Sequence, residues 1–263
     1  MSVACTVVLP KIRINPQKAI SPQIYEFLRR HITDTTITPG TTLSENSLSE
    51  QFSVSRQPVR EALMRLSYEG LLSILPQRGS IVERICVNEL EHTAFLRAAI
   101  EKACVANIVN LDENTRKNRM AQLRRIVDQQ RNVRRDDGMR SAYLTLDDRF
   151  HECLCSLSGS DMAWNTVQSI KGQMDRIRFL SLDTFVPVDV ITDEHELIFN
   201  HLLNGEIEAC QDCITDHLRD VIKLCHEIIE RYSDWFTYGS LNTVKRRART
   251  APECPAASAQ PAD

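Results

Sequence analysis

Four side chains stand out for the chemistry they could share. Asp147 and His151 are four residues apart, so one face of a helix presents both. His195 and His217 flank a break at Gly205, ten residues before it and twelve after it. At about 1.5 Å of rise per residue they lie roughly 15 and 18 Å from the turn, so an antiparallel pair brings both imidazoles to one level. Three imidazoles and one carboxylate converging in a helical interior suit a borderline divalent cation, Zn²⁺ or Ni²⁺. A second group lies near the N-terminus, where Ser55, Arg56 and Gln57 open a helix and Arg60 follows one turn on. An arginine fork can grip guanine O6 and N7, while serine hydroxyls and backbone N–H groups suit phosphates. Taken singly, each histidine also reads as a satisfied core or surface side chain, and the arginines as an ordinary solvated helix face.

The elements that must position these groups are mostly helical. The chain has 263 residues, 42% hydrophobic and 25% charged, with eight glycines and ten prolines. That length suggests two domains, and no stretch approaches the ~18 consecutive apolar residues of a membrane helix. Residues 1–16 lack periodicity and read as a loose arm. From Lys18, Ile20, Ile24, Phe27, Leu28 and Ile32 form one helical stripe, and Pro39-Gly40 breaks the chain. Ser44 can cap a short helix carrying Leu48 and Phe52. Ser55 can cap a longer one that buries Val59, Leu63 and Leu66 and stops at Gly70. A hairpin follows: Leu71 to Leu75, a turn through Pro76-Gln77-Arg78-Gly79, then Ser80 to Ile85. Two short helices joined by Ser53-Val54 leave the second projecting, as a major-groove reader does, with Arg78 and Gly79 at the tip of a wing. Beyond Val87 the period predicts six antiparallel helices, Glu89–Val109, Glu113–Arg134, Asp137–Leu157, Met162–Ser181, Val188–Leu203 and Glu206–Phe236. The fold class is thus mainly α. A winged helix-turn-helix spans 17–85, an all-α bundle spans 86–237, and a disordered tail follows from 238.

The run Pro39-Gly40…Leu43-Ser44-Glu45…Phe52-Ser53-Val54-Ser55-Arg56-Gln57-Pro58-Val59-Arg60-Glu61-Ala62-Leu63…Leu66…Gly70-Leu71 resembles the winged helix-turn-helix of GntR-family transcription regulators. Pro76-Gln77-Arg78-Gly79-Ser80…Val82 looks like that family's wing. The resemblance implies that Arg56 and Arg60 read the operator, helped by Gln57 and Gly79. Two positions depart from the pattern. Asn46 stands where many members carry arginine, and Ser53 replaces the usual turn glycine at a small expected cost.

Asp147-x-x-Phe150-His151, Glu194-His195-Glu196 followed by Gly205, and His217-Leu218 resemble the ligand segments of the FadR-type C-terminal domain, FCD, over residues 88–236. Residues 146–183 most resemble RspR-type members. By resemblance, a small carboxylate effector completes the metal's coordination, with sugar-acid metabolism as one context. Arg97 matches an arginine that sits near the pocket in that group and would grip the carboxylate in a bidentate way. It also stands four residues from Glu101, where a surface ion pair of little consequence is the competing reading. Arg176 and Arg178 are further effector candidates.

Nine cysteines, an odd number in a chain of this size, point to reduced thiols and a cytoplasmic protein. Cys210-x-x-Cys213 precedes His217 by one turn, but it lies mid-helix on an apolar stripe and reads as small buried hydrophobes. The whole predicts a transcription regulator and no enzyme, a homodimer on a palindromic double-stranded operator, tuned by a small carboxylate or sugar acid at a Zn or Ni site. One rival is a metal-dependent hydrolase with an accessory winged domain, which needs an open coordination position and lacks an HExxH-like base. Another is a regulator that senses metal or thiol redox state directly. The net charge of −3 argues against nucleic acid only as an average: residues 17–85 carry net +1 and residues 86–237 net −8.

Overall fold

A computed structural model describes residues 9–238, apart from Lys11, Arg135, Asp137, Asp183 and Leu224, and gives no side-chain placement for Asp161. The expected tail from 239 onward lies outside the described residues. The N-terminal part runs α1 (Ile20–Thr33), β1 (Thr42–Leu43), α2 (Glu45–Phe52), α3 (Arg56–Tyr68), β2 (Leu72–Leu75) and β3 (Gly79–Val82). Ile24, Leu28 and Ile32 of α1 close over Leu48, Phe52, Val59, Leu63 and Leu66 in one core. The predicted loose arm is packed at its described end. Leu9 is buried in that core, and Gln51 Nε2 donates to its carbonyl at 3.0 Å.

Local chemistry explains the turns. Ser44 caps α2 by accepting from the Ser47 N–H at 3.4 Å, whereas the Ser55 hydroxyl makes no capping bond to α3. Ser53 takes φ +53 in the left-handed region, the conformation that favours the glycine it replaces. In the hairpin, β2 and β3 pair antiparallel, Leu72 opposite Val82 and Leu75 opposite Gly79, and β1 adds a third strand with Thr42 opposite Ile81. Gly79 has φ +88, and a Cβ there would lie 2.8 Å from the Leu43 carbonyl oxygen, so the wing's close approach to β1 requires glycine. The second predicted strand ends early. Its last residue, Ile85, joins Cys86 in β4 (Ile85–Cys86), which pairs in parallel with β5 (Phe236–Thr237) far along the chain.

The bundle comprises α4 (Val87–Val109), α5 (Glu113–Arg131), α6 (Met139–Leu157), α7 (Asp161–Ile170), α8 (Gly172–Ser181), α9 (Val188–Asn204), α10 (Ile207–Lys223) and α11 (Cys225–Arg231). Two long predicted helices are therefore divided. Met162–Ser181 breaks at Lys171, whose side chain is fully buried and ties to Asp175 of α8 and Asp148 of α6. Glu206–Phe236 becomes α10, α11, a short 3₁₀ turn at Ser233–Trp235 and β5, because Phe236 turns into the core beside Ile85, Met174 and Ile228. α4 lies centrally and packs on α6, α7, α8 and α10.

α8 also forms the wall shared by the two parts. Gly172 sits against Leu71, where a Cβ would come within 3.2 Å of its side chain. Gln173 Nε2 donates to the Gly70 carbonyl at 2.7 Å, and Arg176 Nη1 to the Glu83 carbonyl at 2.7 Å. Among the described residues, no helix is long and apolar enough to cross a membrane.

Candidate metal centre and nucleic-acid interface

The histidine–carboxylate set converges as its spacing predicts. Asp147 and His151 project from α6, His195 from α9 and His217 from α10, and one ligand atom from each lies within 4.8 Å of all the others. His217 Nε2 is 3.2 Å from His151 Nε2 and 3.2 Å from His195 Nε2. Asp147 approaches from the side, with Oδ2 3.6 Å from His151 Nε2 and Oδ1 3.8 Å from His195 Nε2.

The other ring nitrogens show what this cluster needs. His151 Nδ1 lies 2.6 Å from Glu101 Oε2, His195 Nδ1 2.9 Å from Gln130 Oε1 and His217 Nδ1 2.7 Å from Glu194 Oε2. These partners are acceptors, so each ring places its proton on Nδ1 and turns an Nε2 lone pair inward. Three inward lone pairs repel one another unless a cation stands between them. Metal–nitrogen bonds of about 2.0–2.1 Å put tetrahedral ligands roughly 3.4 Å apart, close to the separations found here. The donor set thus suits a divalent cation in both chemistry and proximity.

Electrostatics favours the same state. Burial pushes the His195 imidazole well below its ordinary pKa, and His217 and His151 beside it push in the same direction. Burial likewise lowers His151. Burial alone would raise Asp147, but Arg178 and then His151 outweigh it and hold the carboxylate ionised. Burial also opposes charge on Glu101, yet His151 and Arg97 hold its carboxyl down at about 2. Asp147, His151 and His195 are therefore favoured in the protonation states that suit a metal.

The predicted arginines separate clearly. Arg97 and Arg178 line a cavity of about 60 Å³ beside Asp147, Glu194 and His217. Arg97 does pair with Glu101, its Nε donating at 3.1 Å, but the pair is buried, and through Glu101 it orients His151. The surface-bridge reading of Arg97 is corrected accordingly. Its Nη2 is buried too, 3.0 Å from Glu101 Oε1 within the same ion pair. Arg178 reaches Asp147 through Nη2, and Asp148 and Asp175 through Nη1 at 2.9 and 2.8 Å. Arg176 does not line the cavity. It is buried where α8 meets the N-terminal part, held by Glu83 and Gln173, because its position on α8 faces away from the candidate metal ligands.

Glu101, Gln130 and Glu194 were not predicted as a set that orients the histidines. Glu194 is adjacent to a ligand and Glu101 interrupts an apolar helix, which were signals. Gln130 gave none. Cys210 is buried, and its thiol points to the Ile198 carbonyl. Burial raises it to about 12 and raises Cys213 too, which keeps both as thiols rather than thiolates.

At the opposite end, Ser55, Arg56, Gln57 and Arg60 are all exposed at the start of α3. Gln57 Nε2 donates to Glu61 at 3.0 Å. The exposed face continues through Met64 and Tyr68, which sequence reasoning did not single out. Arg78 is exposed in the β2–β3 turn, whereas what the structure requires of Gly79 is steric.

Comparison with known proteins agrees with this division. Residues 20–82 match the family described as bacterial regulatory proteins, gntR family, and residues 92–220 match the FCD domain. The HTH-type transcriptional repressor RspR of Escherichia coli (strain K12) is 35% identical over 234 residues, 86% of this chain and 97% of that protein. A Streptomyces ambofaciens HTH-type regulator in an unstable DNA locus is 34% identical over 203 residues, 75% of this chain and 81% of its own length. The solved structure of E. coli McbR/YncC shares the fold, with a TM-score of 0.65 at 20% identity over 79% of this chain and 97% of that one. A DNA-binding winged part and an FCD bundle in one chain, with regulators rather than enzymes as relatives, make this protein a GntR-family transcription regulator of the kind that carries an FCD domain.

Proposed function

We propose that this regulator binds a palindromic operator as a homodimer in the cytoplasm, and that a small carboxylate held beside a divalent metal ion in its bundle alters that binding. The observation that carries the reading is the inward turn of three Nε2 lone pairs, with all three Nδ1 protons committed to Glu101, Gln130 and Glu194. Asp147, His151, His195 and His217 would hold the metal, with Zn²⁺ or Ni²⁺ suited to three nitrogens and one oxygen. When bound, the ion supplies a positive centre that attracts an anionic ligand. Arg97 and Arg178 contribute their guanidinium groups to the same cavity. The remaining wall combines the apolar Leu144, Met174, Leu182, Val186, Ile191 and Val221 with Ser181 and Asp220. The apolar part suits the aliphatic body of a short acid, while Ser181, Glu194 and Asp220 offer partners to the hydroxyls of a hydroxy or sugar acid.

On the DNA side, Arg56 and Arg60 read base edges, while Ser55, Gln57 and Arg78 meet the backbone. Repression follows the relative RspR, which is a transcriptional repressor. The dimer face lies on α4, which is apolar on both sides. Its inner side fills the core, and its outer side exposes Phe95 and Leu96 with Ala99 and Ala103. Two copies joined there would present two α3 helices to half-sites about one helical turn apart.

Thermal-shift measurements with short-chain, hydroxy and sugar acids, each with and without Zn²⁺ or Ni²⁺, test the reading. An acid that stabilises only the metal-loaded protein is expected. A metal-stripped protein that responds to every acid as the loaded one does would overturn it.

A further inference from the structure

Resting on the metal-and-acid reading above, we propose that Arg178, Asp175 and Arg29 couple occupancy of the metal centre to the C-terminal end of the recognition helix. An unbroken series of charged contacts runs between the two. It begins at Asp147, a residue of the metal set, which Arg178 Nη2 grips. Arg178 Nη1 donates at 2.8 Å to Asp175 Oδ1. Asp175 Oδ2 accepts at 2.9 Å from Arg29 Nη2 on α1, which crosses into the winged part. Arg29 Nε donates at 2.9 Å to Glu69 Oε2, and the Tyr25 hydroxyl donates to the other Glu69 oxygen.

Glu69 is the residue that ends α3. Its own N–H bonds the Arg65 carbonyl at 3.2 Å, and the next two N–H groups close on Ser67 and Leu66 at 3.1 and 3.0 Å. Arg65 in turn lies over the Tyr25 ring at 3.7 Å. The far end of the series is therefore the backbone cap of the helix that carries Arg56 and Arg60.

Burial makes the series respond as a unit. The side chains of Arg29, Asp175, Glu69, Arg178 and Asp147 are all less than 15% exposed. Removing one partner from a buried ion pair leaves an uncompensated charge, so its neighbours must rearrange instead of turning to water. Lys171, wholly buried, holds Asp175 at 2.7 Å and Asp148 at 2.8 Å, which fixes the middle of the series to α6 and α8. α8 itself binds the Gly70 carbonyl through Gln173, so any shift of Arg178 and Asp175 is delivered beside the same helix end. A metal ion drawing on Asp147, or a carboxylate drawing on Arg178, changes what Arg178 can give to Asp175.

Hydrogen exchange on the full chain, zinc-loaded and zinc-free, reads this directly at the amides of Glu69, Gly70 and Leu71. In the parent protein, zinc is expected to change their exchange about fivefold or more, the lower end of allosteric coupling. Asp175→Asn keeps the shape of the side chain and should abolish that zinc-dependent difference while zinc binds at full stoichiometry. Arg29→Met, made in the other part of the molecule and touching no metal ligand, should do the same. A merely structural role would alter the basal exchange of either variant but leave the zinc-dependent change in place. Zinc binding with an undiminished response in both variants overturns the coupling and leaves the metal centre standing. A parent protein that does not take up zinc overturns the metal reading itself and the coupling with it.

Discussion

Glu194 offers a clean test of how the proposed metal centre is built. Its Oε2 accepts from His217 Nδ1 at 2.7 Å and fixes the ring so that Nε2 faces the other ligands. Losing such a partner typically weakens metal binding about 10–100-fold. The Glu194 side chain is 30% exposed, so water can replace part of the bond and the lower end applies. Glu194→Ala should therefore weaken zinc about tenfold, or about 1.4 kcal/mol. At a free zinc concentration near 100 times the parent dissociation constant, the stabilisation by metal should fall from about 2.7 to about 1.4 kcal/mol. That corresponds to a zinc-induced rise in Tm smaller by roughly 3–5 °C. Glu101 would be a poorer choice, because removing it strands the buried Arg97 charge and costs about 3–5 kcal/mol of folding stability. Competition titration against a chromophoric chelator measures the Glu194→Ala affinity. An affinity within twofold of the parent, alongside His217→Ala that has lost zinc, would refute the argument that Nδ1 partners set the site.

Other outcomes follow from the DNA-reading, dimer and turn geometry. Arg60→Ala should weaken operator binding about 10–100-fold, the 1–3 kcal/mol of one bidentate base contact, with the dimer intact by light scattering. Anisotropy titration showing unchanged affinity would remove Arg60 from the interface. Phe95→Glu places a charge at the centre of the outer α4 face and should shift sedimentation from dimer to monomer; a persistent dimer would put the interface elsewhere. Ser53→Gly relieves a left-handed serine at φ +53 and should raise stability by up to about 1 kcal/mol in urea unfolding. A loss of stability would mean that the serine hydroxyl contributes more than its backbone strain removes.

The winged part was legible in the sequence because its signals are local. Ser44 caps and Gly70 stops through contacts made within the same short segment, and the hairpin register follows from its turn, whereas the glycine at 79 also answers to Leu43 of β1. The divided helices were not legible for the opposite reason. Period alone carries a helix through Lys171, since Trp164, Val167, Met174 and Ile177 keep the apolar spacing. What breaks it is a lysine drawn fully inside by Asp148, which lies 23 residues away. The end of the last predicted helix fails similarly, for Phe236 pairs with a strand 151 residues earlier in the chain.

The same contrast applies within the site. Asp147 with His151, and His195 with His217, were placed by counting residues along helices, and the count needs only a regular rise and one turn. Gln130, Glu101 and Arg178 act through contacts between helices, so no spacing announces them. Arg176 and Arg178 differ by two residues, or roughly 200° around α8. That rotation sends one to the Glu83 carbonyl and the other to Asp147. Sequence could nominate both arginines, but the choice between them depends on which face of α8 meets the bundle. α8 presents Gln173 and Arg176 to the DNA-binding part, and Met174 and Arg178 to the candidate metal centre. A helix only ten residues long thus has no face left over for solvent alone, and the choice between Arg176 and Arg178 is made by which neighbour each face meets.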